Sequence, residues 1–368
     1  MKIFVTGTRG IPYIPGGIES HCQELYPLIA QKGHNVTVAT RSPYVKKKIP
    51  YWQEVKLCHL YAPHSKSFEA IVHTFLAILK AKSLGVDILH IHAVGPGLMV
   101  PFAKSIGHKV VFTHHGPDYK RQKWGKIAKT ILVLGEYLAS KYADEVITIS
   151  KEIQNLLKVK YDRKSNLIFN GVTIPLKSKR TDFLEKLSIK PQNYIFSAAR
   201  FVPEKGLHDL IEAFKSIKGD WQLVIAGDAD HETAYSKRLK ELAQQDKRII
   251  LTGYVTGEEL NQLFTNARLF VLPSYYEGLP IALLEAMSYD LPVLVSDISA
   301  NKEVPLEDKN CFFRCGDIRN LEEKIKFQLQ NPVSDELLAH YKKLLNSVFN
   351  WKIISDQTID VYVKAINK

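Results

Sequence analysis

The chain has 368 residues, 45% of them hydrophobic and 24% charged, with a formal net charge of +12. This composition excludes a disordered chain, no stretch reaches the roughly 18 consecutive apolar residues of a membrane-spanning helix, and the length suits two domains of roughly 180 residues each. Four cysteines make no disulfide framework in a chain of this size, and the basic excess is one-sided: residues 1–180 hold 27 Lys and Arg against 11 Asp and Glu, and the remaining 188 hold 23 against 27.

The N-terminal run MKIFV carries one lysine and too few apolar residues for the core of a secretion signal, so it reads as the first β-strand of a cytoplasmic protein. The loop that follows, TGTRGIPYIPGGIES at residues 6–20, leads into an amphipathic helix predicted over residues 18–32. Gly16 and Gly17 stand where that helix begins, and the amides and dipole of a helix start favour an anion. A nicotinamide dinucleotide does not fit. Gly7, Gly10, Gly16 and Gly17 miss the G-x-G-x-x-G spacing, and ATRSP after the second strand carries no acid for a ribose hydroxyl. The G-x-x-x-x-G-K-[ST] loop of Walker-type NTPases is also missing from the sequence.

In the first half, KIFVTG, NVTVAT, DILHIHA, KVVFTHH and EVITIS are short and rich in β-branched residues, and amphipathic segments such as 126–142 lie between them. After residue 190 the pattern repeats with YIFSAAR, WQLVIAGD, IILTGY, LFVLPS and PVLVSD. Such βαβ alternation predicts two doubly wound, Rossmann-like α/β domains, 1–175 and 185–350, joined by a proline-containing stretch. The last segment, 351–368, has helical apolar spacing at Ile353, Ile354, Thr358, Val361, Tyr362 and Ala365, and its expected packing partner is the first domain.

His90 and His92 alternate along DILHIHA and share one face. They read as a buried hydrogen-bonded pair, with metal ligation as the alternative, and His92 is also a candidate for acceptor binding. Cys311 and Cys315 have no second pair and no nearby histidine, so they read as buried small side chains rather than zinc ligands.

The second half carries the more specific chemistry. SYYEGLPIALLEAM sets Glu277 and Glu285 eight residues apart, with Gly278 and Leu279 between a strand end and a helix start. Carboxylates there accept from sugar hydroxyls while backbone amides donate to phosphate. Upstream, AARFVPEKGLHDLIEAF places Arg200 and Lys205 where a strand ends and a helix begins, a guanidinium and an ammonium suited to clamp a pyrophosphate. The clamp's own two cations can do the work of a divalent ion, so neither a metal nor any other cofactor is expected.

Taken together, RFVPEKGL, VIAGD, LTGYV and EGLPIALLEAM closely resemble the retaining glycosyltransferases of family 4, and the resemblance spans nearly the whole chain. It implies the GT-B fold, two Rossmann-like domains facing across a cleft. In the first half, GTRGIP, GGIES, THHGPDYKRQKWGK and ADEVITISKEI are similar to a bacterial rhamnosyltransferase-like subgroup active in capsule and lipopolysaccharide assembly. The implied reaction moves a sugar, with retention of configuration, from a nucleotide diphosphate sugar such as a UDP-hexose or dTDP-rhamnose to a glycan or lipid-diphosphate-linked acceptor.

By the same resemblance, Arg200 and Lys205 hold the donor diphosphate, with amides of the Gly16–Gly17 loop reaching it from the other domain. Glu277 contacts donor-sugar hydroxyls, Glu285 the nucleotide ribose, and Gly278 and Leu279 offer amides. Tyr254 and Val255 flank the base, His115 lies near the donor sugar, Asp118 follows it in the cleft, and Glu303 is a weaker match. Asp290 departs from the pattern, replacing a glycine of the family.

Acceptor binding falls to the first domain in this family. Its segments SPYVKKKIPYW and YKRQKWGKIAKT interleave Lys and Arg with aromatics, as a surface docking on anionic lipid would. The expected location is therefore cytoplasmic and peripheral at the inner face of the membrane. A GT-B sugar-nucleotide epimerase and a basic nucleic-acid-binding protein are the alternatives. The second leaves the clamp and the paired glutamates without a purpose, so no nucleic-acid partner is expected.

Overall fold

A computed structural model of the chain describes every residue except 46, 64–67, 121–124, 230 and 332. Contacts divide it into two units, Met1–Gly171 with Phe349–Lys368, and Val172–Val348. Both are Rossmann-like α/β units, as the alternation of β-branched runs with amphipathic segments predicts.

The first unit holds an eight-stranded sheet in the order β3-β4-β2-β1-β5-β6-β7-β8. Its strands are β1 (Lys2–Thr6), β2 (Asn35–Arg41), β3 (Tyr51–Trp52), β4 (Val55–Leu60), β5 (Ile88–His92), β6 (Val110–His114), β7 (Glu145–Thr148) and β8 (Asn166–Leu167). All neighbours pair in parallel except the short edge strand β3, which runs antiparallel to β4. Helices cover both faces of such a sheet, so β1, β5 and β6 are buried along nearly their whole length rather than at alternate residues. The sequence carries no clear strand signal for β4, because VKLCHL mixes lysine and histidine into its apolar run.

The helix Gly17–Gln31 packs its face of Cys22, Leu25, Tyr26 and Ile29 into this core. The C-terminal helix Trp351–Ile366 joins it there through Trp351, Ile354, Val361, Tyr362 and Ala365. One apolar position of that helix departs from expectation: Ile353 is 38% exposed, because the buried stripe runs through Ile354, Thr358, Val361 and Ala365 and leaves its neighbour on the outer side.

The second unit holds a six-stranded parallel sheet in the order β11-β10-β9-β12-β13-β14. Its strands are β9 (Tyr194–Ala198), β10 (Gln222–Ala226), β11 (Ile249–Gly253), β12 (Leu269–Leu272), β13 (Val293–Ser296) and β14 (Phe312–Phe313). Ile195, Leu223, Ile225, Leu269 and Val271 interdigitate with Leu210, Ile211 and Phe214 of the helix Leu207–Lys215 to form its core.

Both sheets reverse direction once. In the first unit the chain winds outward from β1 through β2 to β4, then returns to β5 on the other side of β1; in the second it winds from β9 to β11 and returns to β12. Loops leaving the carboxyl ends of the two strands at such a reversal diverge and leave a crevice, where open α/β sheets bind ligands. β1 with β5, and β9 with β12, are therefore the places to look for a site.

Candidate active site

In the second unit, Arg200 and Lys205 follow β9, and Ser274 and Glu277 follow β12. Strand adjacency brings these distant segments together. Lys205 Nζ donates to Glu277 Oε1 at 2.6 Å, and Ser274 Oγ donates to the same oxygen at 2.6 Å. The backbone locks the two loops: the amide of Tyr275 donates to the Glu204 carbonyl at 2.9 Å. Gly206 stands at φ 62°, and a Cβ there would lie 2.0 Å from the Pro273 carbonyl oxygen. Only glycine lets the β9 loop approach the β12 loop this closely. Glu277 is nearly enclosed, with 9% of its side chain exposed, so it holds a charge where water screens little.

The other expected donor residues of this unit fall around the same strand ends. Gly278 and Leu279 lie in the loop before the helix Ile281–Ser288, and Glu285 is in the second turn of that helix. Tyr254 and Val255 follow β11 at the sheet edge, with Tyr254 60% exposed and Val255 buried. A cavity of about 380 Å³ opens at the ends of β9, β10 and β11, lined by Phe201, Gly227, Asp228, Lys240, Leu251 and Gly253. Glu303 caps the short helix Ser299–Lys302 after β13. Asp290, in place of the family's glycine, adopts φ 59°, and its carboxylate takes an ion pair from Lys177 at 2.7 Å. Asp is among the side chains that tolerate this left-handed conformation.

In the first unit the glycine-rich loop leaves β1, and its nearest neighbour is the end of β5. Gly7 stands at φ 100°, and a Cβ there would sit 2.1 Å from the His92 carbonyl oxygen, so this glycine is required by the neighbouring strand. Gly16 is the N-cap of the helix Gly17–Gln31, while the space around Gly17 is open. Glu19, in the first turn, folds back over the loop and accepts from the Arg9 amide at 2.9 Å and from Arg9 Nε at 3.2 Å. Its charge stands at the positive end of the helix dipole.

Sequence reasoning did not single out His21, on the next turn of that helix. It is buried, its Nδ1 pairs with Asn170 Oδ1 at 2.8 Å, and its ring meets those of His92, His115 and Trp351 edge-on. Its partners lie far away in sequence, and no local pattern marks it.

His115, just beyond β6, and His92, at the end of β5, join through Nε2 and Nδ1 at 2.8 Å. His92 Nε2 continues to the Tyr26 hydroxyl at 2.5 Å, Tyr26 to His90 Nδ1 at 3.0 Å, and His90 to Tyr362 at 2.8 Å and Thr113 at 2.7 Å. Burial holds these imidazoles neutral: that of His21 is pushed down to about 4, that of His90 to about 3, and those of His92 and His115 well below the ordinary value. His90 and His92 thus form a buried hydrogen-bonded pair, bridged by Tyr26. Among the described residues, the ligating nitrogens of His21, His92 and His115 all lie within 4.8 Å of one another. Asp118 opens the short turn Asp118–Lys120, and its amide donates to the Gly116 carbonyl at 2.9 Å.

Below His115 lies a second buried polar cluster. Glu136 accepts from His114 Nε2 at 2.9 Å, Lys160 Nζ at 2.8 Å, and the hydroxyls of Tyr161 at 2.8 Å and Tyr119 at 3.2 Å. Burial alone would raise this carboxyl, but His114, Lys160 and Tyr161 hold it down at about 2.

Residues 15–174 match the family model described as Glycosyltransferase Family 4, and residues 178–344 that described as Glycosyl transferases group 1. An uncharacterized glycosyltransferase of Methanocaldococcus jannaschii, MJ1607, is 26% identical over 100% of this chain and 99% of its own length. The UDP-Gal:alpha-D-GlcNAc-diphosphoundecaprenol alpha-1,3-galactosyltransferase of Escherichia coli is 28% identical over 64% of this chain and 63% of its own. Among solved structures, Anabaena HepE in complex with UDP-glucose superposes with a TM-score of 0.80 at 17% identity, over 98% of this chain and 99% of its own. Both halves of the chain thus match glycosyltransferase family models, and the protein is a glycosyltransferase of the GT-B type.

Proposed function

We propose that the protein transfers a sugar from a nucleotide diphosphate sugar to a hydroxyl of a glycan or lipid-diphosphate-linked acceptor in cell-surface polysaccharide assembly. The Lys205–Glu277 pair, with Lys205 on the loop that Arg200 opens after β9 at the reversal point of the second sheet, carries this reading. Breaking the anomeric C–O bond leaves negative charge on the β-phosphate. Arg200 and Lys205 stabilise that charge as it develops, a task that needs no divalent cation when two side chains supply it. Glu277, released from Lys205, accepts from donor-sugar hydroxyls while Ser274 keeps it oriented.

In the same reading Glu285 accepts from the ribose, the amides of Gly278 and Leu279 face phosphate, and Tyr254 and Val255 flank the base. His115 acts at the donor sugar, the Gly16–Gly17 amides assist at phosphate, and His92 and Asp118 serve the acceptor. Retention of configuration, a UDP-hexose or dTDP-rhamnose as donor, and a rhamnosyltransferase-like place in capsule or lipopolysaccharide synthesis complete the proposal. The relatives that act on diphosphoundecaprenol-linked sugars and bind UDP-glucose are consistent with it.

The first unit is proposed to meet anionic lipid from the cytoplasmic side. No helix among the described residues is long and apolar enough to cross a membrane. The helix Lys126–Tyr142 instead leaves Ile127 80%, Ile131 41% and Leu134 46% exposed along one stripe, with Lys126 and Lys129 beside it. Of the two basic segments expected at the interface, Lys46 in 42–52 and Arg121, Gln122, Lys123 and Trp124 in 119–130 lie outside the described residues.

A thermal-shift panel of UDP- and dTDP-sugars on the wild type and Glu277→Ala tests the donor site. A ligand at 100 times its Kd adds about 2.7 kcal/mol. One sugar nucleotide is expected to stabilise the wild type and not the variant. Equal stabilisation of both, or none by any member, overturns the assignment.

A further inference from the structure

We propose that His21, His92 and His115 form a binding site for a zinc-class divalent ion, ligated through His21 Nε2, His92 Nδ1 and His115 Nε2, with a fourth position open to water. One ring nitrogen from each histidine lies within 4.8 Å of the other two, and His92 Nδ1 is already 2.8 Å from His115 Nε2. Zinc–nitrogen bonds of about 2.0–2.1 Å in tetrahedral geometry require spacings of about 3.4 Å, so the rings shift by roughly an ångström or less to enclose the ion.

The surrounding hydrogen bonds select the tautomers that ligation needs. Asn170 Oδ1 accepts from His21 Nδ1, which leaves the Nε2 lone pair facing the cluster. Tyr26 accepts from His92 Nε2 and its own hydroxyl donates to His90 Nδ1, while His90 Nε2 donates to Thr113. His92 Nδ1 is then a lone pair. His115 alone must change, its proton moving from Nε2 to Nδ1, so the ion enters without net loss of protons. Metal-binding histidines are held by outer partners of this kind. Three neutral imidazoles of this softness suit zinc, cobalt or nickel rather than magnesium or calcium. His21 and His92 are buried whereas His115 is half-buried, which gives the ion an entry side and leaves its fourth position toward it.

Occupancy would hold the His115 nitrogen. If His115 acts at the donor sugar, as proposed above, zinc inhibits transfer and a chelator restores it; the ion is an inhibitor here, and the reaction does not require it.

The test uses untagged full-length protein, stripped with chelator and titrated with Co²⁺ and then with Zn²⁺ against a chromophoric competitor. One equivalent per chain is expected, with the intense visible bands of tetrahedral Co²⁺. His21→Ala weakens binding by at least about tenfold, and Asn170→Ala, which removes only an outer partner, by about 10- to 100-fold. Thermal melts of each apo variant identify any that fail to fold, and the conservative Asn170→Ser then replaces it. No cobalt bands, or the same affinity in His21→Ala and the Asn170 variant as in the wild type, overturns the site. Tight binding without inhibition sinks the role of His115 in transfer and leaves the metal site standing. Failure to bind, with transfer intact, does the reverse.

Discussion

Lys205 and Glu277 lie 72 positions apart in the sequence, yet their charged groups meet at 2.6 Å because the loops that carry them leave adjacent strands of one sheet. In the proposed reaction a diphosphate displaces Glu277 from Lys205, and the two residues then act on different parts of one donor. Lys205→Ala is expected to lower kcat about 10²- to 10³-fold, the loss seen when one group that stabilises developing charge is removed. Glu277→Ala should raise KM as well, and the double variant should fall short of the product of the single losses. Steady-state kinetics on all three enzymes checks this; fully multiplicative losses would show that the pair is not a unit.

Gly7→Ala tests the packing of the glycine-rich loop. Its new methyl would sit 2.1 Å from the His92 carbonyl oxygen at φ 100°. The expected loss is about 2 kcal/mol or more, read as a fall in Tm. Gly17→Ala has open space and ordinary backbone, so it should fold normally, and any loss of activity in it reports on ligand contact.

Acid should unravel the Glu136 cluster in a defined window. The carboxyl is held at about 2 in the fold against an ordinary 4.5, so its stabilisation is full above pH 4.5 and lost as the pH falls toward 2. The size is about 3 kcal/mol. Glu136→Gln should therefore be less stable than the wild type at neutral pH, with the difference shrinking below pH 4.5. Denaturant melts across this range check it; a gap independent of pH would contradict it.

EDTA should leave the transfer rate intact, since Arg200 and Lys205 are proposed to stabilise the leaving diphosphate. Complete loss, restored by Mg²⁺ or Mn²⁺, would show that the clamp works through a cation.

Membrane docking predicts co-sedimentation with anionic vesicles and little with neutral ones. Ile127→Glu with Ile131→Glu, both on the exposed stripe, should weaken it about tenfold or more. Equal recovery on both kinds of vesicle would remove the electrostatic part of the proposal.

The two doubly wound units were legible because β1, β5, β6, β9 and β12 are short apolar runs bounded by loops, a pattern that survives without tertiary information. The neighbourhood of Arg200, Lys205 and Glu277 was readable for the same reason, each standing at a strand end or a helix start. His21 was not. It sits on an amphipathic helix like any other polar residue, and only the return of the chain at Asn170, 149 positions later, makes it part of a cluster. Glu136 was hidden likewise, since His114 and Lys160 reach it from other segments.

The C-terminal helix Trp351–Ile366 belongs to the unit that begins at Met1, and Tyr362 on it closes the chain of hydrogen bonds through His90. During synthesis the first unit therefore lacks a wall of its core until the whole of the second unit has been made. The earliest residues made are the last to be completed, and a truncation of some 18 residues would cripple the unit farthest from it in sequence.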